Sequence, residues 1–147
     1  MPAPHRLQTV RECGGVRYID DSKSTNIHST LNALTCVKDG VVLLLGGKDK
    51  NLNFDAIFAR FGDKLIRVFA FGSARKKIMS SARRCHYDSI VQYRFFRDAV
   101  YSACKYAREQ NIVLLSPACA SFDEFHSYAE RGDAFADIVK EMTNAKV

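Results

Sequence analysis

The run Val41-Val42-Leu43-Leu44-Leu45, closed by Gly46-Gly47, is apolar at every position. A strand with no polar face must be covered on both sides, and sheets covered in this way are parallel ones whose crossovers are helices. The rest of the chain repeats the theme. Leu65 to Phe71 is a second apolar strand, closed by Gly72; Ile112 to Leu115 is a third, ending at Ser116-Pro117; a weaker one lies around Ser89 to Val91. Between them, apolar residues recur at helical spacing: Ile27, Leu31 and Leu34, then Phe54, Ile57, Phe58 and Phe61, then a helix from about Phe96 to Arg108. At the start, Leu7 to Glu12 and Val16 to Asp20 flank Cys13-Gly14-Gly15, the pattern of a β-hairpin. The order β-β-α-β-α-β-α-β-α-β-α predicts an α/β fold. Its sheet is Rossmann-like and mostly parallel, with an antiparallel N-terminal hairpin at the edge and helices on both faces.

Helix starts are marked less sharply. Ser24 or Thr25 is placed to cap the first helix and Ser73 the helix beyond Gly72. Ser121-Phe122-Asp123-Glu124 reads as a capping box opening the last helix, whose stripe is Phe125, Tyr128, Gly132, Phe135, Val139 and Met142. A chain of 147 residues can bury its own core without staples. Residues 1–4, Met1-Pro2-Ala3-Pro4, resemble the end of an interdomain connector, a linker remnant or artificial start, and residues 5–147 read as one domain of a longer protein. The apolar runs fall far short of the roughly 20 residues that cross a bilayer, and the N-terminus lacks a signal-peptide core. Five cysteines without framework spacing point to free thiols in a reducing cytoplasm. His5, His28, His86 and His126 are scattered, so no metal site is expected.

Net charge is +6, which suits nucleic acid or small anions. The densest basic segment, Arg75-Lys76-Lys77 with Arg83-Arg84, reads as a solvated helix face, since no aromatic platform interleaves with it. Three polar clusters each follow a strand: Asp20 to Asn26, Gly46 to Asn51, and Ser116 to Asp123. In an open α/β sheet such segments converge beyond the carboxyl ends of the strands. Their hydroxyls, lysines and nearby helix starts predict a site for carboxylate or phosphate. Lys23-Ser24-Thr25 is not a P-loop, because the glycines of GxxxxGK[ST] are missing, and Gly46-Gly47 does not complete GxGxxG. A triad of Ser121, His126 and Asp123 has no GxSxG elbow to support it.

Taken together, Tyr18-Ile19-Asp20-Asp21-Ser22-Lys23-Ser24-Thr25-Asn26, Leu43-Leu44-Leu45-Gly46-Gly47-Lys48-Asp49-Lys50, and Leu114 to Asp123 with Glu130-Arg131-Gly132 resemble the C-terminal domain of the Mur ligases. The likeness runs over nearly the whole chain, and Lys50 in its context favours the D-glutamate-adding branch. It implies the third domain of an ATP-dependent, amide-forming ligase that joins D-glutamate to UDP-MurNAc-L-alanine through an acyl phosphate. ATP and Mg²⁺ would be bound mainly by a central ATPase domain, the docking partner of this one. The resemblance implies Lys23 as the catalytic residue near the reacting phosphate. It implies Thr25, Lys50, Ser121, Phe122 and Tyr128 at the amino-acid substrate, and Arg6 and Asp21 at the nucleotide. It further implies a cytoplasmic monomer with neither nucleic acid nor membrane as partner. Three positions depart from the common pattern: Tyr128 stands where Phe is frequent, Asp20 where Asn is, and Lys48 makes the glycine loop more basic.

Each residue also has a plainer reading. Lys50 reads equally as a solvated loop lysine, Thr25 and Ser121 as helix caps, and Lys23 as a partner of Asp20 or Asp21. Capping and binding are compatible, because a helix start presents free donors. Two other functions stay open: a related ligase domain for another amino acid such as L-lysine or diaminopimelate, and a stand-alone nucleic-acid-binding module built on the basic helix.

Overall fold

The computed structural model describes residues 3–144. Its elements follow the predicted order: β1 (Gln8–Cys13), β2 (Val16–Asp20), α1 (Ile27–Cys36), β3 (Val41–Gly46), α2 (Asp55–Phe61), β4 (Leu65–Phe71), α3 (Arg75–Arg84), β5 (Ile90–Tyr93), α4 (Phe96–Tyr106), β6 (Ile112–Ala118) and α5 (Tyr128–Asn144). They form one six-stranded sheet ordered β1-β2-β6-β3-β4-β5. β1 and β2 pair antiparallel, and every other pairing is parallel. The reading of residues 1–4 as a connector and of the domain's last residues falls partly on positions 1, 2 and 145–147, outside the described residues. Among the described residues, no helix is long and apolar enough to cross a membrane.

The alternation of side chains along a strand explains the two-layered core. In β3, Val41, Leu43 and Leu45 face a layer with Leu34 of α1, Ile57 and Phe58 of α2, and Ile78 and Ala82 of α3. Val42 and Leu44 face the other, with Phe96 and Val100 of α4 and Phe135 and Val139 of α5. All five β3 residues are fully buried, each contributing a gross 1.5–3 kcal/mol or about that. The basic helix α3 is amphipathic rather than free-standing: Ile78 and Ala82 enter the core while Arg83 and Arg84 stay exposed.

Three expectations about element ends need correction. The α1 cap is neither Ser24 nor Thr25 but Asn26, whose side chain accepts the Ser29 N–H at 2.9 Å. The Ser24 hydroxyl is drawn instead to the buried Asp21 carboxylate at 2.5 Å. Ser73 does not cap α3; its hydroxyl accepts the Asp49 N–H at 2.8 Å and so ties the loop after β3 to the start of that helix. Nor does Ser121 to Glu124 open α5. That stretch is a turn, with the Ser121 carbonyl accepting the N–H groups of Glu124 and Phe125, while the Glu124 carboxylate accepts the Phe96 N–H at the start of α4. α5 begins at Tyr128, where Ser127 accepts the Glu130 N–H at 3.0 Å. Ser127-Tyr128-Ala129-Glu130 is thus the S-x-x-E segment that opens a helix.

β6 also runs beyond the predicted end, through Ser116 and Pro117 to Ala118. Its pairing with β3 shifts register between Leu44 and Gly46 before Ala118 meets Gly46. A proline has no N–H to give a ladder, and such an irregularity is where a central strand tolerates one. Gly46 closes β3 with φ +150°, and a Cβ there would collide with the Phe71 backbone of β4. Gly46→Ala is expected to destabilise the fold by about 3 kcal/mol, from strain and overpacking together, read as a lower urea midpoint with an unchanged slope.

Candidate functional site

Because β2, β6 and β3 are neighbours in the sheet, the loops leaving their carboxyl ends lie side by side, as expected for a ligand site in this class of fold. They surround a pocket of about 330 Å³. Thr25, Lys50, Ser121, Phe122 and Tyr128 all line it, and Lys48, Leu52 and Ala120 complete it. The five positions expected at the substrate are therefore brought together, with two lysines and no carboxylate on the wall. The volume lies at the small end of the roughly 300–1,000 Å³ typical of small-molecule sites. Phe122 is 64% exposed and forms an apolar rim.

Ser121 has the most telling environment. Its residue is 2% exposed, and among the described residues its Oγ is the one buried side-chain oxygen or nitrogen without a hydrogen-bond partner. A buried hydroxyl left unpaired costs about 1–3 kcal/mol, so an orphan beside a pocket calls for an explanation. The capping role predicted for Ser121 is absent.

The loops are held by two buried charges. Arg131 of α5 is 1% exposed; its Nε donates to Ser22 Oγ at 2.8 Å, one terminal nitrogen to the Ser22 carbonyl at 2.7 Å, and the other to the Cys119 carbonyl at 2.9 Å. Burial lowers its pKa to about 10, which still leaves it cationic at neutral pH. Asp21 supplies the matching acceptor. One oxygen accepts the Leu7 N–H at 3.1 Å; the other accepts the Ser24 hydroxyl and the Ser116 hydroxyl at 2.7 Å. Beside them, Asp20 contacts His5 Nδ1 at 2.6 Å. That pair lies directly over Gly132, where a Cβ would meet the Asp20 carboxylate at 2.6 Å.

Arg6 and Asp21 line a separate cleft of about 200 Å³ on the α1 side, with Leu7, Ser24 and Asn32. Lys23 is partly buried, and its ammonium is in no ion pair among the described residues, so the pairing with Asp20 or Asp21 does not form. Burial pushes the Cys119 thiol up to about 12, so it is no nucleophile at neutral pH. Arg131 escaped the sequence reading as a site-building residue; only its place in Glu130-Arg131-Gly132, on a face later found to be buried, could have marked it.

The six-stranded, mostly parallel sheet with helices on both faces and a basic pocket at its strand ends defines a Rossmann-like α/β domain. The family model described as Mur ligase, glutamate ligase domain matches residues 5–119, and the chain belongs to that family. Among curated relatives, the UDP-N-acetylmuramoylalanine--D-glutamate ligase of Chlamydia abortus is 38% identical over 144 residues, covering 98% of this chain and 34% of its own length. That of Pelotomaculum thermopropionicum is 42% identical over 135 residues, covering 92% and 30%. The chain thus spans about a third of the length of the curated relatives it matches. Among solved structures, the MurF ligase of Thermotoga maritima in complex with ADP aligns with a TM-score of 0.60 at 15% identity, over 99% of this chain and 33% of that one. The bifunctional folylpolyglutamate synthase/dihydrofolate synthase of Yersinia pestis aligns at 0.59 and 18%, over 96% and 31%. At these identities the likeness establishes the fold.

Two outcomes test the buried framework. Arg131→Met removes three hydrogen bonds and strands two carbonyls, with an expected cost of about 3–5 kcal/mol in chemical denaturation. Asp21 has its carboxyl raised above the ordinary value, chiefly by burial and against the hydrogen bonds of Ser116, Ser24 and Leu7. A group raised in this way binds more protons folded than unfolded, so its contribution to stability falls as pH climbs from the ordinary through the raised value. The stability deficit of Asp21→Asn relative to wild type should therefore narrow as pH climbs above about 4 in urea melts.

Proposed function

We propose that this chain is the amino-acid-binding C-terminal domain of an ATP-dependent ligase that adds D-glutamate to UDP-MurNAc-L-alanine. The observation that carries the reading is the pocket itself: two lysines, a threonine and an orphaned buried serine on one wall, with no carboxylate among them. Such a wall accepts an anion and repels an extra ammonium, which argues against L-lysine or diaminopimelate as the amino acid. The names of the curated relatives support D-glutamate.

On this reading, ATP in the complete enzyme converts the terminal carboxylate of UDP-MurNAc-L-alanine to an acyl phosphate, with Mg²⁺ accompanying the nucleotide's phosphates. This domain closes on the central ATPase domain and holds the D-glutamate amine against that carbon while excluding water. Lys50, Thr25 and Ser121 orient the substrate carboxylates, and Phe122 and Tyr128 wall the aliphatic chain. Lys23, in no ion pair among the described residues, is the cation that stabilises charge on the departing phosphate. The attacking amine loses its proton as the amide forms and phosphate leaves.

Arg6 and Asp21 fit one end of a nucleotide. Their cleft of about 200 Å³ is smaller than a self-sufficient ligand site, and three of the roughly four lone-pair positions on Asp21 are already taken. One remains for a ribose hydroxyl, while the phosphates fall to another domain. We read the whole enzyme as a cytoplasmic monomer and α3 as a solvated face, since Arg84 and Lys77 are engaged by Asp55 and Asp49 of the same fold.

Lys50→Ala in the complete ligase tests the assignment. Loss of a charge-assisted contact should raise the KM for D-glutamate roughly 10- to 100-fold and leave the KM for ATP within about twofold. An unchanged D-glutamate KM removes Lys50 from the substrate site, and a preference for L-lysine or diaminopimelate overturns the substrate.

A further inference from the structure

The loop after β3 carries three consecutive charges, Lys48-Asp49-Lys50, and the fold sorts them. Lys48 and Lys50 line the pocket, and Asp49 does not. Asp49 is turned toward α3: its N–H donates to Ser73 at 2.8 Å, and its carboxylate lies 3.0 Å from Lys77 Nζ. It also accepts the Asn51 N–H at 3.0 Å, and Lys77 contacts the Asn51 side chain as well. Lys48 is pinned from the other side, its N–H donating to the Ala120 carbonyl at 2.9 Å. Among the described residues, neither Lys48 nor Lys50 is in an ion pair.

We propose that the pocket selects a doubly charged acid by using Lys48 as a second cation beside Lys50. Lys77 of α3 is the positioning residue that keeps Asp49 from neutralising them. The inference rests on the ligand reading above and extends it in two ways, by adding a specificity residue and by giving the basic helix a task. An exposed ion pair such as Lys77 with Asp49 adds little to stability, so its place matters more than its strength. Asn51 and Lys77, with a smaller contribution from Lys48, hold the Asp49 carboxyl below the usual carboxylate range, and it stays an anion near neutral pH. Freed from Lys77, that anion has its nearest alternative partners in Lys48 and Lys50, one residue away on either side. Pairing there removes one positive charge from the pocket. A ligand with two carboxylates then loses a partner, whereas a ligand with one keeps the cation it needs.

The test uses this chain, with Thr25 and Ser121 backbone amide shifts followed by NMR during titration with glutarate, butyrate, D-glutamate and L-glutamate. Glutarate should bind the wild type at least about tenfold tighter than butyrate, and Lys48→Met should weaken glutarate roughly tenfold while moving butyrate about twofold or less. Lys77→Met should act in the same direction, and Lys77→Met combined with Asp49→Asn should restore glutarate affinity, a rescue that a merely structural lysine would not show. Unchanged glutarate binding in Lys48→Met or Lys77→Met, or no rescue in the double variant, overturns the inference even if D-glutamate binds selectively. Glutarate behaving as expected with no preference for D- over L-glutamate leaves the inference standing and counts against the substrate reading. Silence toward all four acids overturns both.

Discussion

Arg131 places a full positive charge at the junction of α5 with the loops after β2 and β6, at 1% exposure. Withdrawing a guanidinium from water is costly, and the fold offsets that cost only because all three nitrogens find acceptors: Ser22 twice and Cys119 once. The three bonds fix how far apart two pocket-forming loops stand. Asp21 does the same on the opposite side of β2, gathering Leu7, Ser24 and Ser116. The result is a backbone frame tied by buried hydrogen bonds and carrying solvated lysines at the strand ends.

The frame also explains why the pocket carries lysines without a carboxylate beside them. The acidic residues of the surrounding loops are spent elsewhere: Asp20 on His5, Asp21 on two hydroxyls and a backbone N–H, Asp49 on Lys77, and Asp123 on the Ser73 N–H. Lysines that would otherwise be neutralised by neighbours remain available. Charge is arranged here by deciding which carboxylates face inward.

The sheet was legible because its strands are runs that water cannot share, and the apolar spacing of α1 to α4 left little choice of type. Ends were harder, because they depend on tertiary partners. The chain contains S-x-x-E twice in ten residues, at Ser121 and at Ser127, and local chemistry cannot choose between them. The choice is made at a distance, by the Phe96 N–H that claims Glu124. Pro117 looked like a stop for β6, yet a register shift let the strand pass through it. Of the site, the convergence of three loops followed from strand order and the identity of Thr25, Lys50, Ser121, Phe122 and Tyr128 from resemblance. The orphaned hydroxyl of Ser121 and the burial of Arg131 depend on tertiary packing that no local pattern marks, since a helical arginine in a charged segment looks like surface.

The strand order has a consequence for biosynthesis. β6 is the last of the six strands in chain order, yet it lies between β2 and β3 and pairs with both through Ile112 to Leu115. Until it emerges from the ribosome, the hairpin and the β3–β4–β5 ribbon are two separate pieces with exposed strand edges, and the loops that bear Thr25 and Lys50 have nothing to hold them together. Such long-range closure is slow and leaves apolar edges open while synthesis finishes. A nascent chain therefore passes through a vulnerable interval that ends when Ile112 to Ala118 is threaded, and the candidate pocket forms later still, because Ala120, Ser121, Phe122 and Tyr128 of its lining follow β6 in the chain.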